Sequence, residues 1–292
     1  MGPLLCLVSA ACFGAMAIFG KLAFDAGVSP GALLLVRFGL AAFALSALIP
    51  LQPGARPGRR ALLIAVGLGA WGYALQATLY FTALQLMDAA LLSLIFYTYP
   101  ILVTVAAVLL GRDRLTRARG TALVAASCGT LLVLAGTGAV ALSLAGVLAA
   151  LGSAVTYTVY IMVADRVVHT MPPLTLSALV MTGATLALGT RAAVTGGVDL
   201  GFTARGWLWV ACIALVSTVC AIVTFFAGLR RTGPSTAAIL STFEPVVTMT
   251  LAGLVLGESL TGVQLAGGLL VLASAAMLQW RKSNYNITKV AV

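Results

Sequence analysis

Residues 243–273 read FEPVVTMTLAGLVLGESLTGVQLAGGLLVLA, two apolar runs joined by the short polar segment GESLTG. With their neighbouring residues the two runs extend over 236–256 and 262–280. Each reaches the roughly 20 residues that a helix needs to cross the hydrocarbon core of a bilayer. This stretch therefore predicts two membrane-spanning helices connected by a tight polar turn.

The rest of the chain has the same character. It is 61% hydrophobic and 8% charged, with a mean hydropathy of +1.11, whereas a soluble domain carries about 25% charged residues. Eight further apolar runs of spanning length fall at 4–24, 31–50, 61–83, 90–110, 118–136, 144–164, 174–194 and 207–228. We therefore expect an all-α, polytopic membrane protein with ten transmembrane helices.

The basic residues indicate the orientation of these helices. Thirteen of the 17 lie in loops that share one side: Arg56, Arg59, Arg60, Arg112, Arg114, Arg117, Arg119, Arg166, Arg230, Arg231, Arg281, Lys282 and Lys289. The other side receives Lys21, Arg191 and Arg205. Because cytoplasmic loops are enriched in Lys and Arg, this bias predicts that both termini are cytoplasmic. The net charge of +10 is then a topology signal, and no nucleic-acid partner is expected.

The chain also resembles itself at an offset of 145 residues. Residues 80–100 then lie over 225–245, and Pro100 coincides with Pro245. Each half, 1–140 and 141–292, contains five predicted helices, an odd number, so the second half must enter the membrane with inverted polarity. Inverted repeats of this kind place a substrate site near the midplane, where the halves meet.

Three segments resemble a known family: RFGLAAFAL at 37–45, YPILVTVAAVLLGRDRLTRARGTALVAA at 99–126, and residues 243–273. Over its whole length the chain resembles the drug/metabolite transporter superfamily in its ten-helix EamA-like branch, and within it the aromatic amino-acid exporters. The resemblance implies export of small metabolites across a bacterial inner membrane. Arg112, Asp113 and Arg114 depart from the family pattern, which more often has Gly-Glu there.

Polar and aromatic residues recur at helical spacing and indicate inward-facing surfaces. Tyr73, Gln76 and Tyr80 follow an i, i+3, i+7 pattern in the third predicted helix, and Tyr157 and Tyr160 share a face of the sixth. Aromatic walls with a few hydroxyl groups suit a bulky zwitterion, through stacking and cation–π contacts. The substrate-binding candidates are Phe13, Trp71, Tyr73, Gln76, Tyr80, Phe96, Tyr99, Tyr157, Tyr160, Ser241 and Glu244.

Charged residues and prolines inside the predicted helices have two interpretations each. Inserting an ionisable side chain at membrane depth costs about 2.5–3.5 kcal/mol. Glu244 is therefore a candidate for binding a substrate ammonium group or a proton. The alternative is that it braces the turn at Pro245. Arg37 and Lys21 could hold a carboxylate, although snorkelling or pairing with Asp25 is favoured. Pro100 and Pro245 each bend a helix, either as mobile site-lining elements or as static kinks.

Other functions have weak support in the sequence. No nucleotide-binding loop of the GxxxxGK[ST] type occurs, and the five cysteines lie in apolar runs without a CxxC pair, so neither a cofactor nor a metal is expected. An intramembrane enzyme would need paired aspartates or a catalytic histidine at membrane depth, and no catalytic residue is assigned. A drug or other metabolite permease of the same fold stays open as the alternative. The expected partners are the lipid bilayer and a small-molecule substrate, and a monomer is plausible.

Overall fold

The computed structural model describes residues 1–51, 57–86, 92, 95–113, 116–134, 143–256, 261–263 and 265–274, and these residues form helices and no strand. In chain order the helices are α1 (Gly2–Asp25), α2 (Pro30–Leu48), α3 (59–86), α4 (Tyr99–Leu109), α5 (Arg117–Leu134), α6 (Leu144–Val167), α7 (Pro173–Val194), α8 (204–232), α9 (234–256) and α10 (Leu265–Ser274). All but α4, α5 and α10 are long and apolar enough to cross a bilayer, which makes seven candidate spans within the described part of the chain.

The predicted spans at 90–110, 118–136 and 262–280 extend beyond the described residues, so the count of ten spans stays a prediction. Parts of the predicted cytoplasmic surface also lie outside them: Arg56, Arg114 and the tail with Arg281, Lys282 and Lys289. Where the chain is described, the observed helix limits follow the apolar runs closely, because a helix satisfies every backbone polar group internally in lipid.

Three of the long helices are interrupted. α3 consists of Arg59–Gly67, a π-helical turn at Leu68–Tyr73, and Ala74–Leu86. α8 has the same construction, with Ala204–Ala214, a π-helical turn at Leu215–Cys220, and Ala221–Thr232. α9 is divided into Pro234–Ser241 and Glu244–Leu256 by a turn at residues 242–243. A π-helical turn widens the helix by one residue and often lies at a functional site.

The helix contacts occur in matching pairs. α3 packs against α6, and α8 packs against α1; likewise α4 packs against α6, and α9 packs against α1. Large interfaces also join α2 to α7 and α3 to α7, the latter matched by α8 against α2, while α4 also contacts α9. When α1 is exchanged with α6, α2 with α7, α3 with α8 and α4 with α9, each contact in this set becomes another contact of the same set.

Among the described glycines, those between α3 and α7 come closest to a neighbouring backbone. A Cβ atom added to Gly69 would overlap the carbonyl group of Val180, and one added to Gly183 would overlap the carbonyl group of Val66. Small residues at helix interfaces permit such contact in membranes, where van der Waals packing stabilises helix association.

We expect Gly183→Ala to lower the melting temperature of the purified protein strongly, because the added methyl group meets backbone atoms that cannot rotate away. Overpacking of this kind costs about 1–3 kcal/mol. Gly67→Ala is the matched control. Gly67 lies on α3, next to the Val66 that Gly183 contacts, but no atom lies within 4 Å of a Cβ added there. This variant should leave the melting temperature unchanged. Equal melting curves for both variants in detergent would contradict the close contact.

Candidate functional site

A small cavity of about 70 Å³ lies in the middle of the helix bundle, and we call it the central cavity. Its walls come from α1, α2, α3, α6, α9 and the residues before α4. The lining residues are Phe13, Met16, Arg37, Tyr73, Gln76, Ala77, Tyr80, Phe81, Phe96, Tyr97, Tyr157 and Glu244. The structure thus brings seven of the eleven predicted substrate-binding residues to one place.

Helix α3 supplies the polar stripe on one wall. Tyr73, Gln76 and Tyr80 all face the cavity, as their helical spacing predicts. The Gln76 side-chain amide donates a hydrogen bond to Ser153 Oγ at 3.2 Å, and the Ser153 hydroxyl donates to the Gln76 backbone carbonyl at 3.2 Å. This pair fixes α3 against α6 and orients the amide at the cavity wall.

Aromatic rings form a continuous wall around the cavity. The Tyr99 and Tyr157 ring centroids are 4.8 Å apart, those of Phe96 and Tyr80 are 5.2 Å apart, and those of Phe96 and Tyr157 are 5.6 Å apart. These separations lie in the range where aromatic pairs contribute about 0.5–1.5 kcal/mol beyond burial. The wall is therefore rigid and presents ring faces and edges to any ligand.

The acidic group of the cavity lies at a helix break. Glu244 begins the second segment of α9 directly after the turn at 242–243, and Pro245 is the second residue of that segment. Tyr97 lies in the turn before α4, three residues ahead of Pro100. The Tyr97 hydroxyl group forms a hydrogen bond with the Glu244 carboxyl group. The two prolines thus begin helical segments at equivalent breaks, and both breaks border the cavity.

The basic group of the cavity is Arg37, whose side chain is 2% exposed. Its Nη1 group contacts Met16 Sδ at 2.8 Å, and the guanidinium carbon lies 4.4 Å from the centroid of the Phe38 ring. The buried Nε group has no hydrogen-bond partner in the described structure. Burial on this scale rules out the snorkelling that the sequence favoured, because snorkelling requires the charged head to reach water.

Arg37 and Glu244 form no ion pair with each other, although both line the same cavity. The cavity therefore holds one basic and one acidic group that do not neutralise each other directly. A ligand that carries a carboxyl group and an amino group could therefore form hydrogen bonds with both of them.

The other predicted site residues lie elsewhere. Trp71 departs from the prediction, because its side chain is 78% exposed on the outer face of α3; it precedes Tyr73 by two residues, about half a helical turn, and so projects from the opposite side of the helix. Tyr160 and Tyr99 pack behind the cavity wall, 2% and 1% exposed. Ser241 is buried and donates to the Ala237 carbonyl oxygen at 3.0 Å, and Lys21 lies at an exposed position of α1.

Four lining residues were not among the candidates: Met16, Ala77, Phe81 and Tyr97. Tyr97 lies in a non-helical turn, where helical spacing gives no prediction. Its position in the sequence FYTYP, next to the repeated proline, is the signal that could have identified it.

At the other end of the bundle, an ion pair joins the residues after α4 to α6. Arg112 and Asp165 approach to 3.5 Å, and the Arg112 guanidinium group also donates to the Met162 carbonyl oxygen. Both side chains are largely buried. Arg112 belongs to the segment that departs from the expected Gly-Glu pattern. In this chain that segment therefore connects the end of α4 to α6.

The chain is similar in sequence to known transporters and in fold to a solved structure. Residues 1–135 and 144–280 match the model of the EamA-like transporter family. An uncharacterized transporter of Bacillus subtilis (strain 168), YcbK, is 29% identical over 278 residues, which cover 91% of this chain and 88% of YcbK. An uncharacterized transporter of Archaeoglobus fulgidus is 26% identical over 254 residues, 86% of this chain and 88% of the relative. A solved crystal structure superposes with a TM-score of 0.81 at 20% identity, over 94% of this chain and 97% of the other, which shows a shared fold.

Proposed function

Because the chain belongs to the EamA-like transporter family, we propose that it is a secondary exporter of bulky amino acids, chiefly aromatic ones, in a bacterial inner membrane. Its similarity to two uncharacterized transporters over most of the chain supports transport as the activity. The multi-pass membrane location agrees with the seven long apolar helices.

The choice of substrate rests on the side chains that line the central cavity. Arg37 and Glu244 line it without pairing with each other, and aromatic rings surround them. An amino acid zwitterion matches this pattern: its carboxylate binds the Arg37 guanidinium group, and its ammonium group binds the Glu244 carboxylate. An aromatic side chain then stacks on the tyrosine rings.

Alternating access explains how such a substrate uses so small a cavity. A volume of about 70 Å³ is well below the roughly 300–1,000 Å³ of pockets that enclose organic ligands, so the helices must move apart to admit a substrate. The break in α9, the turn before α4, and the π-helical turns of α3 and α8 are the places where such a movement costs least. The Arg112–Asp165 ion pair holds the end of α4 to α6 and opposes opening there.

Two inverted five-helix repeats would supply the symmetry for this movement. The proposal is supported by the paired helix contacts, by π-helical turns in both α3 and α8, and by the family match in two segments of similar length. In transporters built this way, the halves rock around a site at their interface.

Purified protein in liposomes tests the proposed function. We expect counterflow of labelled tryptophan several-fold above protein-free liposomes, with phenylalanine and tyrosine as strong competitors. Tryptamine, which lacks the carboxylate, and indole-3-propionate, which lacks the ammonium group, should each compete about tenfold less well, because each loses one charge-assisted hydrogen bond. Transport of organic cations with no transport of any amino acid would contradict the proposal and favour a drug permease.

A further inference from the structure

A second and larger cavity, which we call the outer cavity, lies at the start of α2 and the ends of α3 and α7. Its volume is about 300 Å³, within the range of pockets that enclose small organic ligands. Its entrance is formed by exposed residues such as Thr82 and Thr195, and its floor by buried ones such as Leu34 and Leu188. This end of the bundle is opposite the arginine-rich loops, and the predicted orientation places it outside the cell.

Only a thin partition separates the two cavities. Phe81 lines both of them. On α2, Leu34 lines the outer cavity and Arg37 the central one, and three residues of helix correspond to a rise of about 4.5 Å. Phe81 is therefore part of the wall that the two cavities share.

The outer cavity has the chemistry of a carboxylate-binding site above an apolar floor. Arg191, in the last turn of α7, contributes a guanidinium group at the entrance, and Thr78 and Thr82 contribute hydroxyl groups on the facing helix. Among the described residues, no ion pair engages the Arg191 side chain. Among the described residues, none that lines this cavity is acidic, in contrast to Glu244 in the central cavity, so an ammonium group finds no matching charge among them.

We propose that the outer cavity is a second substrate site on the exit path, which binds the substrate carboxylate through Arg191 and the apolar side chain over Phe81. This inference rests on the proposed function and adds to it a specificity step for carboxylates. A substrate passes from the central cavity, which binds both its carboxylate and its ammonium group, to the outer cavity, which binds the carboxylate alone. Arg191 is accessible there to water and to the ligand, which makes the second site weaker and suits it to release.

The test is equilibrium binding of labelled tryptophan to the purified protein, combined with transport from the outer face of liposomes. We expect two molecules bound per wild-type chain, and close to one per chain for Arg191→Gln at tryptophan concentrations that only just fill both wild-type sites. The half-saturating concentration on the outer face should rise about tenfold in this variant, the effect of losing one charge-assisted hydrogen bond. The affinity for tryptamine should be the same in the wild type and in Arg191→Gln, because tryptamine has no carboxylate. Arg191→Lys should have an outer-face affinity for tryptophan between those of the wild type and Arg191→Gln.

Arg205→Gln is the matched control, because Arg205 is an exposed arginine on the same predicted side that does not line the cavity. It should behave as the wild type. Thr82→Phe narrows the entrance of the outer cavity at a residue that does not line the central one, and it should also weaken binding of the second molecule. Wild-type transport with one bound tryptophan per chain, or equal outer-face affinities for Arg191→Gln and Arg205→Gln, would overturn the second site and leave the proposed function intact. A wild type that moves no amino acid would overturn both.

Discussion

Replacing Glu244 with glutamine is expected to lower tryptophan transport by at least tenfold while the protein stays folded. Glutamine keeps the shape of the side chain and its hydrogen bonding to Tyr97, so the wall of the central cavity should be preserved. What is lost is the negative charge that binds the substrate ammonium group. A hydrogen bond to a charged group contributes about 1.5–3 kcal/mol, equivalent to a factor of about 10–100 in affinity.

The measurement is counterflow in liposomes, with melting curves to verify the fold. Asp199→Asn is a suitable control, since Asp199 is an exposed carboxylate in the loop between α7 and α8, where it accepts a hydrogen bond from the Gly201 backbone N–H group at 2.8 Å. Its replacement should leave transport unchanged. In contrast to tryptophan, indole-3-propionate has no ammonium group, and its ability to compete should not fall in Glu244→Gln. Equal tryptophan transport by Glu244→Gln and wild type would remove Glu244 from the binding step.

The all-helical membrane fold was predictable because the bilayer imposes it. A chain with so few charges must satisfy its backbone polar groups within helices in lipid, and the apolar runs therefore coincide with helices such as α1 and α7. The grouping of Tyr73, Gln76 and Tyr80 at one cavity was predictable for a similar reason, since residues three, four and seven positions apart share a helix face.

The parts that sequence could not predict depend on which face of each helix is buried. Hydropathy places Trp71 and Tyr73 at the same depth, yet the helix turns one toward lipid and the other toward the cavity. The same ambiguity affected Arg37, which lies a turn or two inside its helix and for which snorkelling or ion pairing was the favoured interpretation. Tyr97 was missed because a helix break interrupts the periodicity on which such predictions rest, although the break itself is marked by Pro100.

Replacing Arg37 is expected to separate function from stability. In Arg37→Gln the half-saturating tryptophan concentration should rise about 10–100-fold, because the substrate carboxylate loses a charge-assisted hydrogen bond. Arg37→Lys should restore only part of the affinity, since an ammonium group cannot bind a carboxylate through two parallel hydrogen bonds. Lys21→Gln, which removes an exposed cation on α1, is the control and should transport normally.

The melting temperature provides the decisive comparison for Arg37. If Arg37 held the helices together, its removal would lower the melting temperature along with transport. The geometry argues for the reverse, because its buried Nε group has no partner and no carboxylate pairs with its charge in the described structure, and a buried charge without a counter-charge is costly to a fold. We therefore expect Arg37→Gln to melt at the same temperature as the wild type or higher, while it binds tryptophan poorly. A lower melting temperature with unchanged tryptophan affinity would assign Arg37 to the structure of the bundle instead of to substrate binding.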